Sequence, residues 1–221
     1  MSCTVPRRRR AVLPALGLAA GLLLSGCGAG AAAGEHDHAG AVADVTLSGD
    51  DSPYEGLWLQ TPYAKPSFTL TGTDGAPYDF GAETAGAPTL LFFGFTNCPD
   101  ICPTTMADVT LALDSLDPAL AATVRMVFVT TDPARDTPEV LGAYLDKFDR
   151  GLPVPFVGLT GSQEQIDVAQ LAAGVPQAED NGQTHSSLLL LYGADDEADV
   201  AFDAESSSSD IAHDISVVAG A

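Results

Sequence analysis

Apolar positions in this chain recur with two different periods, and the places where one period gives way to the other mark out the elements. Phe68 and Leu70, then Tyr78 and Phe80, flank Thr73-Asp74-Gly75-Ala76-Pro77, which predicts a short hairpin about a turn containing Gly and Pro. Residues 88–95 form a continuous apolar run, the pattern of a central strand covered on both faces. Helical spacing follows, with Met106, Val109, Leu113 and Leu116 on one stripe and Asp117-Pro118 marking its end. Residues 124–130 predict a second buried strand. Thr137 is a natural N-cap, and Pro138 fits the first turn of a helix carrying Val140, Leu141, Tyr144, Leu145 and Phe148. A short strand is expected over 155–159 and a helix over 162–172 with Ile166, Val168 and Leu171. Strands over 187–192 and 200–202 are joined by the acidic turn Asp195-Asp196-Glu197. A last helix starts near Ser208, with Ile211, Ile215 and Val218 on one stripe. Strands alternating with helices, closed by a hairpin and a helix, predict an α/β domain of the thioredoxin-like type, a central mixed sheet flanked by helices with an N-terminal hairpin extension.

The beginning of the chain follows another pattern. Arg7 to Arg10 form a basic stretch, residues 11–24 are apolar and small residues follow, which reads as an export signal. That apolar stretch, interrupted by Pro14 and Gly17, is short for a bilayer span. Its end, Leu24-Ser25-Gly26-Cys27, resembles the lipobox of bacterial lipoproteins and implies cleavage before Cys27 with lipid carried on that residue. An ordinary signal cleaved near 31–33 is the alternative. Arg9-Arg10-Ala11-Val12-Leu13 also partly resembles a twin-arginine signal. The expected organisation is therefore a lipoprotein signal peptide over 1–26, a flexible acidic tether over 27–55 and a thioredoxin-like domain over 56–221. His36 and His38 in the tether could chelate a divalent ion weakly, although two histidines in such a segment are ordinarily just solvated.

Charge narrows the partners. Loss of the signal removes four of nine Lys and Arg and leaves five against 30 Asp and Glu, a formal charge of −25. Such a surface repels phosphate backbones and anionic headgroups, which argues against nucleic acid and against electrostatic membrane binding. Membrane attachment has to come from the lipid.

Of four cysteines, Cys3 and Cys27 lie in the export region, so Cys98 and Cys102 are the thiols of the folded part. They sit behind the apolar run at 88–95, in a strand-loop-helix unit where helix amides and the positive dipole end stabilise a thiolate. Pro103 suits the first helical position, which would put Cys102 near the cap. Thioredoxin-type redox pairs usually have two residues between the cysteines; here Pro99, Asp100 and Ile101 make three. The wider loop lets both sulfurs face one soft ion, and a disulfide remains within reach. Copper(I) is satisfied by two thiolates, whereas copper(II) wants nitrogen as well, and His185 just before a strand is the well-placed candidate. Asp100 is expected to face solvent. Among Phe92, Phe93 and Phe95, Phe95 is expected to be the one near enough to shield the site.

The segments 95–104, with Cys98-Pro99-Asp100-Ile101-Cys102-Pro103, and 130–138, with Thr131-Asp132-Pro133-Ala134-Arg135-Asp136-Thr137-Pro138, together with the His185-Ser186 loop, resemble the SCO (SenC) family. The resemblance runs from about residue 65 to 219. It implies a membrane-tethered thioredoxin-like protein that assists assembly of the binuclear copper site of cytochrome c oxidase. Position by position, it implies copper ligands at Cys98, Cys102 and His185, a redox-active disulfide of Cys98 with Cys102, and a supporting role for Asp132. Thr184 departs from the aspartate many relatives have before the histidine. Without the resemblance, Asp132 and Asp136 flanking Arg135 read as a loop-fixing ion pair. The implied partners are the oxidase subunit bearing that copper site, other copper carriers and a disulfide reductant, with the protein lipid-anchored at the extracytoplasmic side of a membrane.

Three other functions compete with copper delivery. A thiol-disulfide oxidoreductase would use Cys98 for attack and Cys102 for resolution, with no need of His185. A thiol peroxidase would want an arginine near the attacking thiolate, and the cysteine motif contains none. A merely structural disulfide closing so short a loop removes little entropy from the unfolded chain.

Overall fold

The computed structural model of the protein describes residues 52–180 and 182–220; the signal, Cys27, His36 and His38 lie outside them. The elements in chain order are β1 (Leu57–Ala64), β2 (Thr69–Gly72), β3 (Pro77–Asp79), α1 (Phe80–Glu83), β4 (Thr89–Gly94), α2 (Ile101–Ser115), α3 (Pro118–Ala121), β5 (Arg125–Thr130), α4 (Pro138–Leu145), β6 (Val157–Thr160), α5 (Gln163–Ala172), β7 (Leu189–Tyr192), β8 (Glu197–Phe202) and α6 (Ser208–Val218). The strands form one mixed sheet in the order β1-β8-β7-β4-β5-β6-β2-β3. Parallel pairing of β4 with β5, Leu91 opposite Val127, puts the ends of both strands, Gly94 and Thr130, side by side at one end of the sheet.

Alternation along the central strands sorts the core into two layers. Leu90 and Phe92 of β4 with Met126 and Phe128 of β5 face α2, α4 and α6. Leu91 and Phe93 with Val127 and Val129 face the other side, where Phe80 and Ile166 of α5 pack. A strand buried on both faces has to be apolar throughout, which is why the run at 88–95 was so plain in the sequence. No helix among the described residues is long and apolar enough to cross a membrane.

The structure differs from the pattern reading in four places. The first strand, β1, is an edge strand paired antiparallel with β8, and its alternation is broken by an irregularity between Trp58 and Tyr63 where Pro62 sits. The predicted hairpin is real but lies at the opposite sheet edge, with β2 paired to β6 as well as to β3. Val140, Val168 and Leu171 were expected on buried stripes but are 44%, 57% and 59% exposed. At about 100° per residue, Val168 and Leu171 fall well off the stripe set by Ile166 and Ala169, while Val140, about 40° from Tyr144 and about 100° from Leu141, lies at the edge of its stripe in the first turn of α4. Finally, α2 opens at Ile101 with Asp100 as N-cap, so Cys102 is inside the first turn and Pro103 one residue beyond it.

Candidate functional site

The end of the sheet where β4 and β5 stop carries the chemistry. Cys98 is half-buried on the loop after β4, and Cys102 is fully buried in the first turn of α2; both thiols are free. The Cys102 amide donates to the Cys98 sulfur at 3.4 Å, so the thiol takes the place of the side-chain cap that Asp100 does not provide. Room for the inner sulfur comes from Gly94, where an added Cβ would stand 2.9 Å from Cys102 Sγ and 2.8 Å from the Phe92 ring.

His185 comes to the same place from the loop before β7. Its Nδ1 lies 2.7 Å from the Ser186 carbonyl, which can only accept, so Nδ1 carries the proton and Nε2 keeps its lone pair. That lone pair faces Cys102 Sγ at 3.8 Å. Phe95 and Phe92 meet the imidazole edge to face, with centroids 5.5 and 6.2 Å away. Phe92 therefore shares the shielding expected of Phe95 alone, because its ring turns toward α2 rather than only into the sheet core. Phe95, Pro99 and Ile101 line an open pocket with Cys98 and His185. Asp100 is solvent-exposed, as expected.

The two sulfurs differ electrostatically. Burial would raise the Cys98 thiol, but the Cys102, Asp100 and Ile101 amides and the neighbouring Cys102 thiol outweigh it, and its pKa is lowered. For Cys102 burial dominates; a bond from the Phe95 amide opposes it, while Cys98 and the Asp136 charge add to it, and its pKa is raised. Burial also lowers the His185 pKa, against the pull of the Ser186 carbonyl, so the imidazole is neutral at pH 7.

The His185 loop is fastened to the end of β5. The Thr131 hydroxyl bonds the Gly182 carbonyl at 2.7 Å, and the Thr131 amide bonds the Gly94 carbonyl at 2.7 Å. Gly182 has φ +84°, and a Cβ there would stand 1.9 Å from the Thr131 carbonyl oxygen, so both its conformation and its closeness require glycine. Asp132 is buried, ion-paired with Arg135, and accepts from the Gln183 side-chain Nε2 at 3.3 Å, two residues before His185. Thr184 donates to Asp180 at 3.1 Å.

Asp136 does not share Arg135 as the sequence suggested; it accepts from Thr96 and Thr130. Gly182 and Thr131 are thus site-building residues to which the sequence reading gave no role, and Asp136 is one it read only as part of a loop-fixing ion pair. Only Gly182, at the end of an Asp-Asn-Gly turn signal, carried a local hint. Cys98, Cys102 and His185 are brought together, although no three His, Cys, Asp or Glu side chains among the described residues already form a closed metal cage.

Residues 59–220 match the SCO1/SenC family. The chain belongs to that family. A Stutzerimonas stutzeri protein described provisionally as copper-binding is 39% identical over 146 residues, 63% of this chain and 69% of that protein. Against the mitochondrial SCO1 of Saccharomyces cerevisiae, 40% identical, the aligned part spans 35% of that protein and 47% of this SCO1/SenC chain. Among solved structures, copper-bound ScoI of Bradyrhizobium japonicum aligns with a TM-score of 0.58 and 28% identity, covering 70% of this chain and 99% of that one. BsSco aligns with a TM-score of 0.53 and 29% identity, covering 71% and 94%; it is described as having a disulfide switch and as a member of the Sco family of cytochrome c oxidase assembly proteins. The thioredoxin-like fold of this SCO1/SenC chain is the one these relatives share.

Proposed function

We propose that this SCO1/SenC chain binds copper through Cys98, Cys102 and His185 outside a membrane and delivers it to the cytochrome c oxidase subunit that carries the binuclear copper site. The observation that carries the reading is the approach of His185 Nε2 to Cys102 Sγ at 3.8 Å across 83 residues of sequence. Two ligands at about 2.3 Å for sulfur and about 2.0 Å for nitrogen, the values for a comparable soft metal, would stand roughly 3.6 Å apart around one ion. The pair therefore fits, with a neutral imidazole offering its lone pair. The half-buried Cys98 sulfur, at the lip of an open pocket, would close the third side, and that exposure suits a cargo that must be released. Two thiolates and an imidazole are a soft donor set of the kind copper favours. The copper-bound relative and the assembly family of BsSco support both the metal and the destination. Asp132 supports the site by holding the His185 loop through Gln183. Cys27 supplies the lipid anchor, which keeps the domain at the extracytoplasmic face of the cell membrane.

The test is copper content and competition affinity of the chain, reduced, oxidised and as His185→Ala. One tightly held copper per reduced chain is expected, lost on oxidation and weakened on the order of a hundredfold without the imidazole, whose place water takes poorly for a soft ion. Equal affinity in the variant would remove His185 from the ligand set.

The contrast between the two thiols favours a second reading. A half-buried Cys98 with lowered pKa and a buried Cys102 with raised pKa are the arrangement of an attacking and a resolving thiol. In that role the chain reduces a disulfide of the oxidase copper site to two thiols, and Cys98 and Cys102 become the disulfide. Copper indifference with rapid exchange, unaffected by His185→Ala, is its signature.

A further inference from the structure

Beneath the cysteine loop lies a carboxylate that neither reading uses. Asp136 is 1% exposed, and no cationic side chain among the described residues pairs with it; the nearby Arg135 goes to Asp132. Burying an anion away from any cation is unfavourable unless its oxygens are bonded. Here three donors converge: the Thr96 amide at 2.9 Å, the Thr96 hydroxyl at 2.6 Å and the Thr130 hydroxyl at 2.6 Å. A carboxyl group, with acceptor capacity on both oxygens, can take all three.

The position of those donors gives the carboxylate its meaning. Thr96 is two residues before Cys98, on a loop whose own tie is the Cys98 amide to the Phe95 carbonyl at 3.3 Å. Thr130 is the last residue of β5, and the next, Thr131, holds Gly94 on one side and Gly182 of the His185 loop on the other. The Asp136 backbone is itself fixed, its amide bonding the Asp132 carbonyl at 2.9 Å and its carbonyl accepting from the Thr160 hydroxyl at 3.3 Å. A side chain rigid at its root thus grips the one loop of the site that carries the half-exposed sulfur.

We propose that Asp136 is the positioning residue of this site: its carboxylate keys the Cys98 loop to the end of β5, and so holds the Cys98 sulfur in register with Cys102 and with the loop that carries His185. This rests on the assignment of the two thiols as the working pair, and not on copper being their cargo.

The test reads sulfur placement without any metal. The full chain carrying C3S and C27S, so that only the two site thiols report, is brought to equilibrium with reduced and oxidised glutathione. One glutathione disulfide is broken as Cys98–Cys102 forms, and its two sulfurs leave with the two thiol protons as two glutathione thiols. The equilibrium constant measures the effective concentration of one thiol at the other. Asp136→Ala is expected to lower it by about tenfold or more, while Asp136→Asn, which keeps an oxygen acceptor and faces hydroxyls able to rotate, stays within about threefold of the parent. Thr96→Val is expected to lower it in the same direction and to add little on top of Asp136→Ala, because both break one link. Asp214, equally buried and held by the amides of Glu55 and Gly56, is the control for general loosening. Asp214→Ala should leave the constant within about twofold even where the melting temperature falls. An unchanged constant in Asp136→Ala, or an equal loss in Asp214→Ala, overturns the proposal. If Asp136→Ala does not fold, Thr96→Val carries the test, and an unchanged constant there overturns it too. A chain that ignores copper yet loses disulfide stability in Asp136→Ala would keep this inference while losing the copper reading.

Discussion

Burial separates two thiols that look alike in the sequence. Three amides and the Cys102 thiol lower the Cys98 pKa against the cost of its burial, whereas Cys102 is sealed beneath it and its pKa is raised by desolvation. Because the Cys98 pKa is depressed, its thiolate persists as pH falls below the ordinary thiol value of roughly 8.5 and is lost only below its own lower midpoint. Alkylation of the reduced chain with iodoacetamide, mapped by peptide, should label Cys98 with a midpoint under that of a free thiol and leave Cys102 unlabelled through neutral pH. Labelling of Cys102 first would reverse the assignment of roles. Cysteines and a histidine announce themselves in a sequence because few other residues do soft-metal or thiol chemistry. Carboxylates do not: Asp132 and Asp136 flank Arg135 symmetrically in the sequence. Only the path of the backbone decides that Asp132 takes the guanidinium and Asp136 the threonine hydroxyls.

At the scale of elements, α6 fastens the start of the domain as well as covering α2. Asp214 is fully buried; its Oδ1 accepts from the Glu55 amide and its Oδ2 from the Gly56 amide, each at 2.9 Å, while His213 Nδ1 approaches Oδ1 at 2.8 Å. The bond to Asp214 raises the His213 pKa against a small burial cost, helped by the fields of Asp214, Glu55 and Asp210. A pKa raised by folding adds stability that is fully present below the unfolded value of roughly 6.5 and fades as pH rises through the folded value. The melting temperature of the wild type should therefore exceed that of His213→Gln at pH 5.5 and converge with it by about pH 8.5. A gap that stays constant across that range would assign the contact to packing instead. The strands β4 and β5 and helices α2, α4 and α6 were legible because one period runs unbroken through each. β1 was not, since Gln60, Thr61 and Pro62 interrupt its alternation and its place is set by pairing with β8 at long range. The site inherits the same division: the loop after β4 could be placed from the strand before it, but the fastening of Gly182 to Thr131 is a contact between distant segments.

Over the described residues, charge is unevenly spread along the sheet direction. Lys65 pairs with Asp196 and bonds the Thr84 and Ala87 carbonyls just before β4 begins, Arg125 opens β5, and Lys147 and Arg150 follow the far end of α4. Lys65 and Arg125 lie at the strand ends opposite the thiols. On the loop after β5, beside the thiol end, Arg135 is bound to Asp132. Exposed Asp100, Glu179 and Asp180 share that end, and β8, which runs the same way as β4, delivers Asp203 and Glu205 there too. Carboxylates thus gather around the thiol end, and they should sort approaching reagents by sign. Reduced Cys98 is expected to react with the dication cystamine at least about tenfold faster than with the dianion dithiodiglycolate at 10 mM ionic strength, where the Debye length is about 30 Å. At 1 M salt that length is about 3 Å and most of the preference should vanish. Two substitutions with the same change in net charge separate a local field from a global one, Glu205→Lys at the thiol end and Asp146→Lys at the far end of α4. Glu205→Lys should cut the rate ratio markedly and Asp146→Lys should barely move it. Equal effects would mean that the chain repels anions only as a body, and that nothing about the thiol end selects the sign of what approaches it.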